Sequence, residues 1–222
     1  MFIVSFQDAT FKYIYSSVSL YEVYFVRTLI SFVVIATYLK ITNKPIVFST
    51  HYPLLTVIRV ILFFFGFSSF YISLTIMPLA TATALFFASP FLITIFAIFF
   101  LGEKVGVRRW LAVIIGFIGV YIILNPDFSN FDYLSLTPVL CAVCYALSMI
   151  IIKKTSDKDD VYSQMFHFYI FAITISIIFY FYMGDGQYNN NDHPASQFIF
   201  RKWFDNLEFS LPYMIFIGVI GA

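Results

Sequence analysis

An all-α integral membrane protein, a bundle of apolar helices, is what this sequence predicts, and three observations predict it. Of its 222 residues, 61% are hydrophobic and only 11% charged, whereas soluble domains run about 45–50% apolar and about 25% charged. The apolar residues fall into runs near the roughly 20 that a helix needs to cross a bilayer. When those runs are threaded back and forth, the Lys and Arg residues between them collect on one side. A mean hydropathy of +0.88 leaves too little polar surface for a soluble enzyme or a nucleic-acid binder. A net charge of +1 offers no field for a polyanionic partner. Thirty Phe and sixteen Tyr suit a lipid-facing surface with aromatic belts.

The elements follow in order. Residues 5–15 have helical character but are too short to cross, and they read as an incomplete first span. Full spans are predicted over 19–39, 54–76 and 78–101. A short fifth span, 110–124, has Arg108 and Arg109 at one end, where long side chains can reach water. Spans 133–152 and 162–183 follow. The segment 184–208 is Asn-rich and reads as an outer loop, with Trp203 at the membrane interface and Asp192 and His193 as solvated groups rather than a metal site. A last apolar run, 209–222, again reads as incomplete. About seven to eight helices are thus expected, in a fragment of a longer protein.

Alternate threading puts Lys40, Lys44, Lys104, Arg108, Arg109, Lys153, Lys154 and Lys158 on one face, with Arg201 and Lys202 opposite. The Lys/Arg-rich face is cytoplasmic, and the cytoplasmic (inner) membrane is the expected location. Small residues mark helix contacts, because lipid gives helices no hydrophobic reason to associate. Ala80, Ala84 and Ala88 form such a stripe, as do Ala112, Gly116 and Gly119, then Gly66, Ser69 and Ser73, then Cys141, Cys144 and Ser148. The two cysteines therefore read as packing residues, not a redox pair. Pro78 opens its helix without loss, but Pro90 lies mid-span and frees the carbonyl of Phe86. That is either a passive kink or a hinge beside a cavity.

The chain also compares with itself. The stretch from Ser5 to Lys12 resembles Cys144 to Lys153, and Val23 to Arg27 lines up with Ser163 to His167, about 140 residues on. An odd number of spans lies between, so the second copy is inverted. Secondary transporters use such inverted repeats, with substrate near the midplane.

The residues Met77-Pro-Leu-Ala-Thr-Ala-Thr-Ala-Leu, then Ala88-Ser-Pro-Phe, then Leu101-Gly-Glu-Lys, then the run Arg109 to Leu124 resemble the EamA type of the drug/metabolite transporter superfamily. Asp8-Ala-Thr-Phe-Lys12 and Phe25-Val-Arg27 are similar to its first hairpin. The resemblance implies ten helices as two five-helix inverted repeats, and both termini in the cytoplasm. It assigns 1–126 to the first repeat, with its first helix truncated, and 127–222 to an incomplete second that ends within the eighth helix. It makes Glu103 a family-motif position. By charge, Glu103 reads as a turn partner for Lys104 or Arg108. Some family members carry S-adenosylmethionine, and an aromatic-rich chain suits such a cation.

Charges inside a span need a reason, since each costs about 2.5–3.5 kcal/mol at mid-bilayer on insertion scales. Arg59 is near a span end and reads as a snorkelling anchor. Arg27 is deeper, about 12 Å in at 1.5 Å per residue, on one face with Tyr24 and Ser31. Across the first hairpin, Asp8 matches Arg27 in depth and Lys12 matches Glu22, so one of these pairs is expected. The alternative is that Arg27 or Lys12 meets an anionic group of a substrate while Asp8 carries a coupling proton. Asp8, Lys12, Tyr24, Arg27 and Tyr145 are the candidate substrate-binding or coupling residues. Ala80, Ala84, Ala88, Pro90, Gly116 and Gly119 are candidates for packing or hinge roles.

No catalytic constellation, metal-ligand cluster, cofactor motif or P-loop is legible. The expectation is a secondary transporter of a small organic metabolite, amino-acid-like or nucleoside-like, working by alternating access. Its partners would be that small molecule, the lipid bilayer, a coupling proton and a second copy of the chain, and no nucleic acid. The rival readings are a non-transporting membrane scaffold or inactive fragment, then a membrane-embedded enzyme.

Overall fold

The computed structural model describes residues 2–124, 133–189 and 193–221. Its elements are α1 (Phe2–Ile14), α2 (Leu20–Ile41), α3 (Pro53–Ile76), α4 (Leu79–Phe86), α5 (Ser89–Leu101), α6 (Val107–Leu124), α7 (Thr137–Thr155), α8 (Val161–Met183), α9 (Pro194–Phe200) and α10 (Leu207–Ile220). A 3-10 turn, Tyr133–Leu136, leads into α7. No strand occurs among the described residues. Five stretches are long and apolar enough to cross a membrane: Leu20–Ile41, Pro53–Ile76, Leu79–Leu101, Leu134–Thr155 and Val161–Met183. The protein is an all-helical, multi-pass membrane protein.

Local chemistry sets the helix ends. Glu22 folds back so that its carboxylate accepts the N–H of Ser19 at 3.2 Å, closing the start of α2. Asp160 caps α8 by accepting the N–H of Tyr162 at 3.1 Å. Pro53 and Pro138 lie in the first turns of α3 and α7, where a missing N–H is harmless. Gly102 ends α5 in the left-handed conformation, φ 65°, which glycine adopts without strain. The N–H groups of Gly102 and Glu103 then return to the carbonyls of Ile98 and Ala97, both at 3.2 Å.

The chain forms two compact units, Met1–Ser49 with Asp160–Ala222, and Thr50–Asp159. The first holds α1, α2, α8, α9 and α10. Its core joins Ile35 and Leu39 of α2 to Phe166 and Tyr169 of α8. Helices α2 and α10 approach closely at Gly218, where a Cβ would lie 2.8 Å from that of Ile30. The second unit holds α3 to α7. Here Gly66 lets α3 sit against α7, since a Cβ there would fall 2.8 Å from that of Cys144. Both cysteines are buried free thiols, as packing residues should be. The expected repeat boundary at 126/127 lies outside the described residues.

Several expectations are corrected. The span 78–101 holds as one apolar stretch, Leu79–Leu101, and the interruption expected at Pro90 falls at Phe87 and Ala88, because Pro90 cannot supply the next helical N–H. The Ala80, Ala84, Ala88 stripe is not one contact face. Ala84 is buried with Ala82, while Ala80 is exposed and Ala88 half-buried. Gly116 and Gly119 of α6 have nothing within 4 Å of where a Cβ would stand, so they make no close packing among the described residues. Instead α6 uses rings: Phe91 of α5 lies 6.0 Å from both Trp110 and Phe117. The outer segment 184–208 is not all loop, since 194–200 is helical and buries Ala195 and Phe198. Trp203 is buried, packed 5.2 Å from Tyr180, rather than laid on an interface. His193 caps α9 by accepting the N–H of Ala195, and Asp192 lies outside the described residues.

Candidate functional site

The first unit gathers polar groups inside its helices around Arg27. Arg27 projects from α2, and Gln7 of α1, only 7% exposed, turns its amide oxygen to the guanidinium. In the amide orientation that satisfies both groups, that oxygen accepts from Nη1 at 3.2 Å and Nη2 at 3.0 Å. Asp8 stands within electrostatic reach of the same charge. One turn on, the Ser31 hydroxyl donates to the Gly218 carbonyl of α10 at 2.7 Å, with Tyr169 of α8 beside it. Gly221 completes the lining, since a Cβ there would come within 3.3 Å of Nε and Nη2 of Arg27. Four helices thus converge on one guanidinium. A planar cation with five donors suits a carboxylate or a similar planar anion.

Of the two hairpin pairings, the structure puts Arg27 within range of Asp8. It sends Glu22, 2% exposed, to Ser19 and Phe204 at the N-terminal end of α2, where Arg201 is its nearby positive charge. Lys12 instead lies 4.9 Å above the Tyr15 ring. Tyr24 is buried one turn before Arg27. Tyr145 belongs to the second unit and sits among Phe63, Phe67 and Phe86. The five candidates therefore divide between two units. Gln7, Tyr169, Gly218 and Gly221 carried no sequence signal, because only the packing of α1, α8 and α10 brings them to Arg27.

The second unit closes its loop end with two charge clusters. Glu103 is held by Lys153 from the end of α7, with Nη1 of Arg109 at 3.7 Å. The expected partners Lys104 and Arg108 are not the ones used, since the turn directs Glu103 toward a helix fifty residues away. The Lys153 hydrogen bond, with the Lys153 and Arg109 charges behind it, holds the Glu103 carboxyl below its ordinary range against a smaller opposing desolvation. Nearby in sequence to Asp160, Asp159 accepts from the Thr50 hydroxyl and from the His51 N–H at 2.8 Å, with the His51 ring Nδ1 at 3.2 Å. Burial pushes this carboxyl up, but the combined His51 and Thr50 hydrogen bonds outweigh it and leave it more acidic than usual. Arg59 is 5% exposed and feels the Asp159 charge. It is a buried electrostatic partner, not a snorkelling anchor. Among the described residues no group of His, Cys, Asp or Glu could hold a metal ion.

The chain thus holds helices long and apolar enough to cross a membrane, one of them broken at a proline. Residues 1–125 match the model of the EamA-like transporter family, and the chain belongs to that family, within the drug/metabolite transporter superfamily. An S-adenosylmethionine uptake transporter of Rickettsia bellii is 34% identical over 173 residues, 78% of this chain and 59% of the relative. The protein of the same name from Rickettsia prowazekii is 33% identical over 173 residues, 78% of this chain and 58% of its own length. A riboflavin transporter of Rhizobium johnstonii is 40% identical over 104 residues, 47% of this chain and 34% of that one. The chain thus spans less than two thirds of the curated relatives it matches. These relatives are named as transporters, not enzymes. No solved structure matches the chain.

Proposed function

We propose that this protein takes part in secondary transport of a small organic metabolite across the cytoplasmic membrane by alternating access, with two inverted repeats as its frame. The substrate class is amino-acid-like or nucleoside-like, and the name shared by the Rickettsia relatives supports S-adenosylmethionine, which combines both parts. The observation that carries the reading is Arg27, a guanidinium within an apolar helix, oriented by Gln7 and set beside Asp8. In this reading Arg27 receives the substrate carboxylate. Asp8 takes up a coupling proton when the carboxylate binds and gives it up when the carboxylate leaves, and so balances the charge left behind on Arg27. Lys12 and Tyr24 line the approach along α1 and α2.

The test is uptake of radiolabelled S-adenosylmethionine into proteoliposomes holding the purified protein, with and without an imposed pH gradient. Saturable accumulation that is lost in Arg27→Leu supports the reading. No accumulation under either condition removes it. A structural ion pair alone predicts a different pattern, in which the Asp8→Arg, Arg27→Asp double variant recovers membrane insertion and uptake together.

A further inference from the structure

The break between α4 and α5 brings a bare carbonyl and a group of rings to one place. In a continuous helix the Phe86 carbonyl would accept from the residue at position 90, but Pro90 has no N–H. Among the described residues no other hydrogen bond reaches that oxygen. The carbonyl end of α4 is also the negative end of its dipole. Non-helical backbone at membrane depth is tolerated where it lines protein or a wet cavity, not against lipid.

The rings come from three helices. Phe86 packs 5.3 Å from Tyr145 of α7 and 5.7 and 6.4 Å from Phe70 and Phe67 of α3. Tyr145 meets Phe63 and Phe67, each at 6.2 Å. Phe63, Phe67, Phe86 and Tyr145 are all half-buried, so packing does not consume their whole surface. The lysines seated on rings lie elsewhere, over Tyr15, Tyr162 and Tyr52. A carbonyl oxygen and the faces of aromatic rings are both electron-rich, and both draw a cation. One carbonyl cannot replace the six to eight oxygen ligands that a hard metal ion takes. It does suit a weakly hydrated organic cation.

We propose that this break seats the positive group of an organic cation, a sulfonium or an ammonium, between the Phe86 carbonyl and the rings of Phe67, Phe86 and Tyr145. The inference deepens the transport reading and rests on it, by naming the charge the substrate presents to the second unit.

The test is equilibrium binding of two probes to the purified full chain: S-adenosylmethionine, and S-adenosylhomocysteine, which keeps the nucleoside and amino acid but has no charge on sulfur. The cation is expected to bind at least about tenfold tighter. Tyr145→Leu and Phe67→Leu each reduce that preference by about threefold or more. Pro90→Ala, which offers the Phe86 carbonyl an N–H, does the same. Phe99→Leu, on a side chain 79% exposed, leaves it unchanged. Circular dichroism identifies any variant that has lost its helices, and the remaining ones carry the comparison. Equal affinity for the two probes, binding of neither, or a preference that survives both Tyr145→Leu and Pro90→Ala overturns the site. A chain that keeps the charge preference but moves neither compound across a membrane removes the transport reading and leaves the site standing.

Discussion

Two arginines lie inside two apolar helices of similar hydropathy, and their surroundings differ. Arg59 of α3 is buried in the second unit, where the nearby charge is Asp159. That aspartate comes from the segment after α7 and is already bound by Thr50 and His51. Arg27 of α2 in the first unit is met by Gln7 and Asp8 from another helix, with Ser31, Tyr169 and the bare backbone of Gly221 beside it. The first arrangement ties a helix to a loop. The second holds a cation among helices with glycine, rather than a bulky side chain, on one flank. A buried charge inside a membrane protein is therefore not one kind of feature, and its partners decide whether it reads as a brace or as a binding group.

The sharpest way to break this contrast is to remove each arginine in turn. Arg27→Leu is expected to lower metabolite uptake by about 100-fold, the scale on which a buried charged contact is lost, while the protein still inserts and purifies. Arg59→Leu is expected to act on stability instead, by about 2 kcal/mol, the scale of a hydrogen bond to a charged group. Thermal unfolding of the purified variants beside proteoliposome uptake separates the two. Loss of folding in Arg27→Leu, or loss of uptake at full stability in Arg59→Leu, would erase the distinction drawn here.

A smaller effect should follow from acid. The folded protein holds Asp159 more acidic than the unfolded chain does, so its ionised form favours folding above the ordinary aspartate pKa of about 3.9. That contribution disappears as pH falls through the lowered folded value. The part of the unfolding midpoint that Asp159 supplies should therefore be constant from neutral pH to about pH 5 and fade below about pH 4, read as the difference between wild type and Asp159→Asn. Asp159→Asn should start lower and show a shallower acid limb. An acid limb of the same depth in the variant would show that Asp159 is not the brace behind Arg59.

The smallest effect is expected at the family-motif position. Glu103→Gln removes the partner of Lys153 and Arg109, but the cluster is open to water, and exposed ion pairs are weak. Its unfolding midpoint should move less than that of Asp159→Asn, and high salt should shrink the difference further. A shift larger than the Asp159 one would reverse the ranking of brace and surface clamp.

Particular residues show what could be read in advance. Ser19 and Glu22 close the start of α2 and Gly102 the end of α5 by local capping chemistry, although depth along the hairpin points Glu22 toward Lys12. Pro90 announces the break, since its missing N–H acts on its own helix. Arg27 stands out by the mismatch between its charge and its neighbours. Gln7, Tyr169, Gly218 and Gly221 give no such warning, because each is ordinary in its own helix and acquires meaning only from α2. Gly116 and Glu103 mislead in opposite ways. The glycine sits in a motif that favours close packing, yet among the described residues nothing lies within 4 Å of where its Cβ would stand, and the glutamate has cations beside it in sequence yet turns to a distant one.

Composition and periodicity alone determine that this chain is a set of membrane-crossing helices, about where the long ones lie, and where a proline interrupts one of them. These follow from the requirement that each backbone polar group find a partner within its own segment when no water is available. The choice of which helices meet, which arginine is braced and which is offered to a ligand, and which rings surround the broken turn was decided only by tertiary packing. Helix association in lipid depends on close surface fit and on pairing a few polar groups, and those are properties of two segments together that neither carries alone.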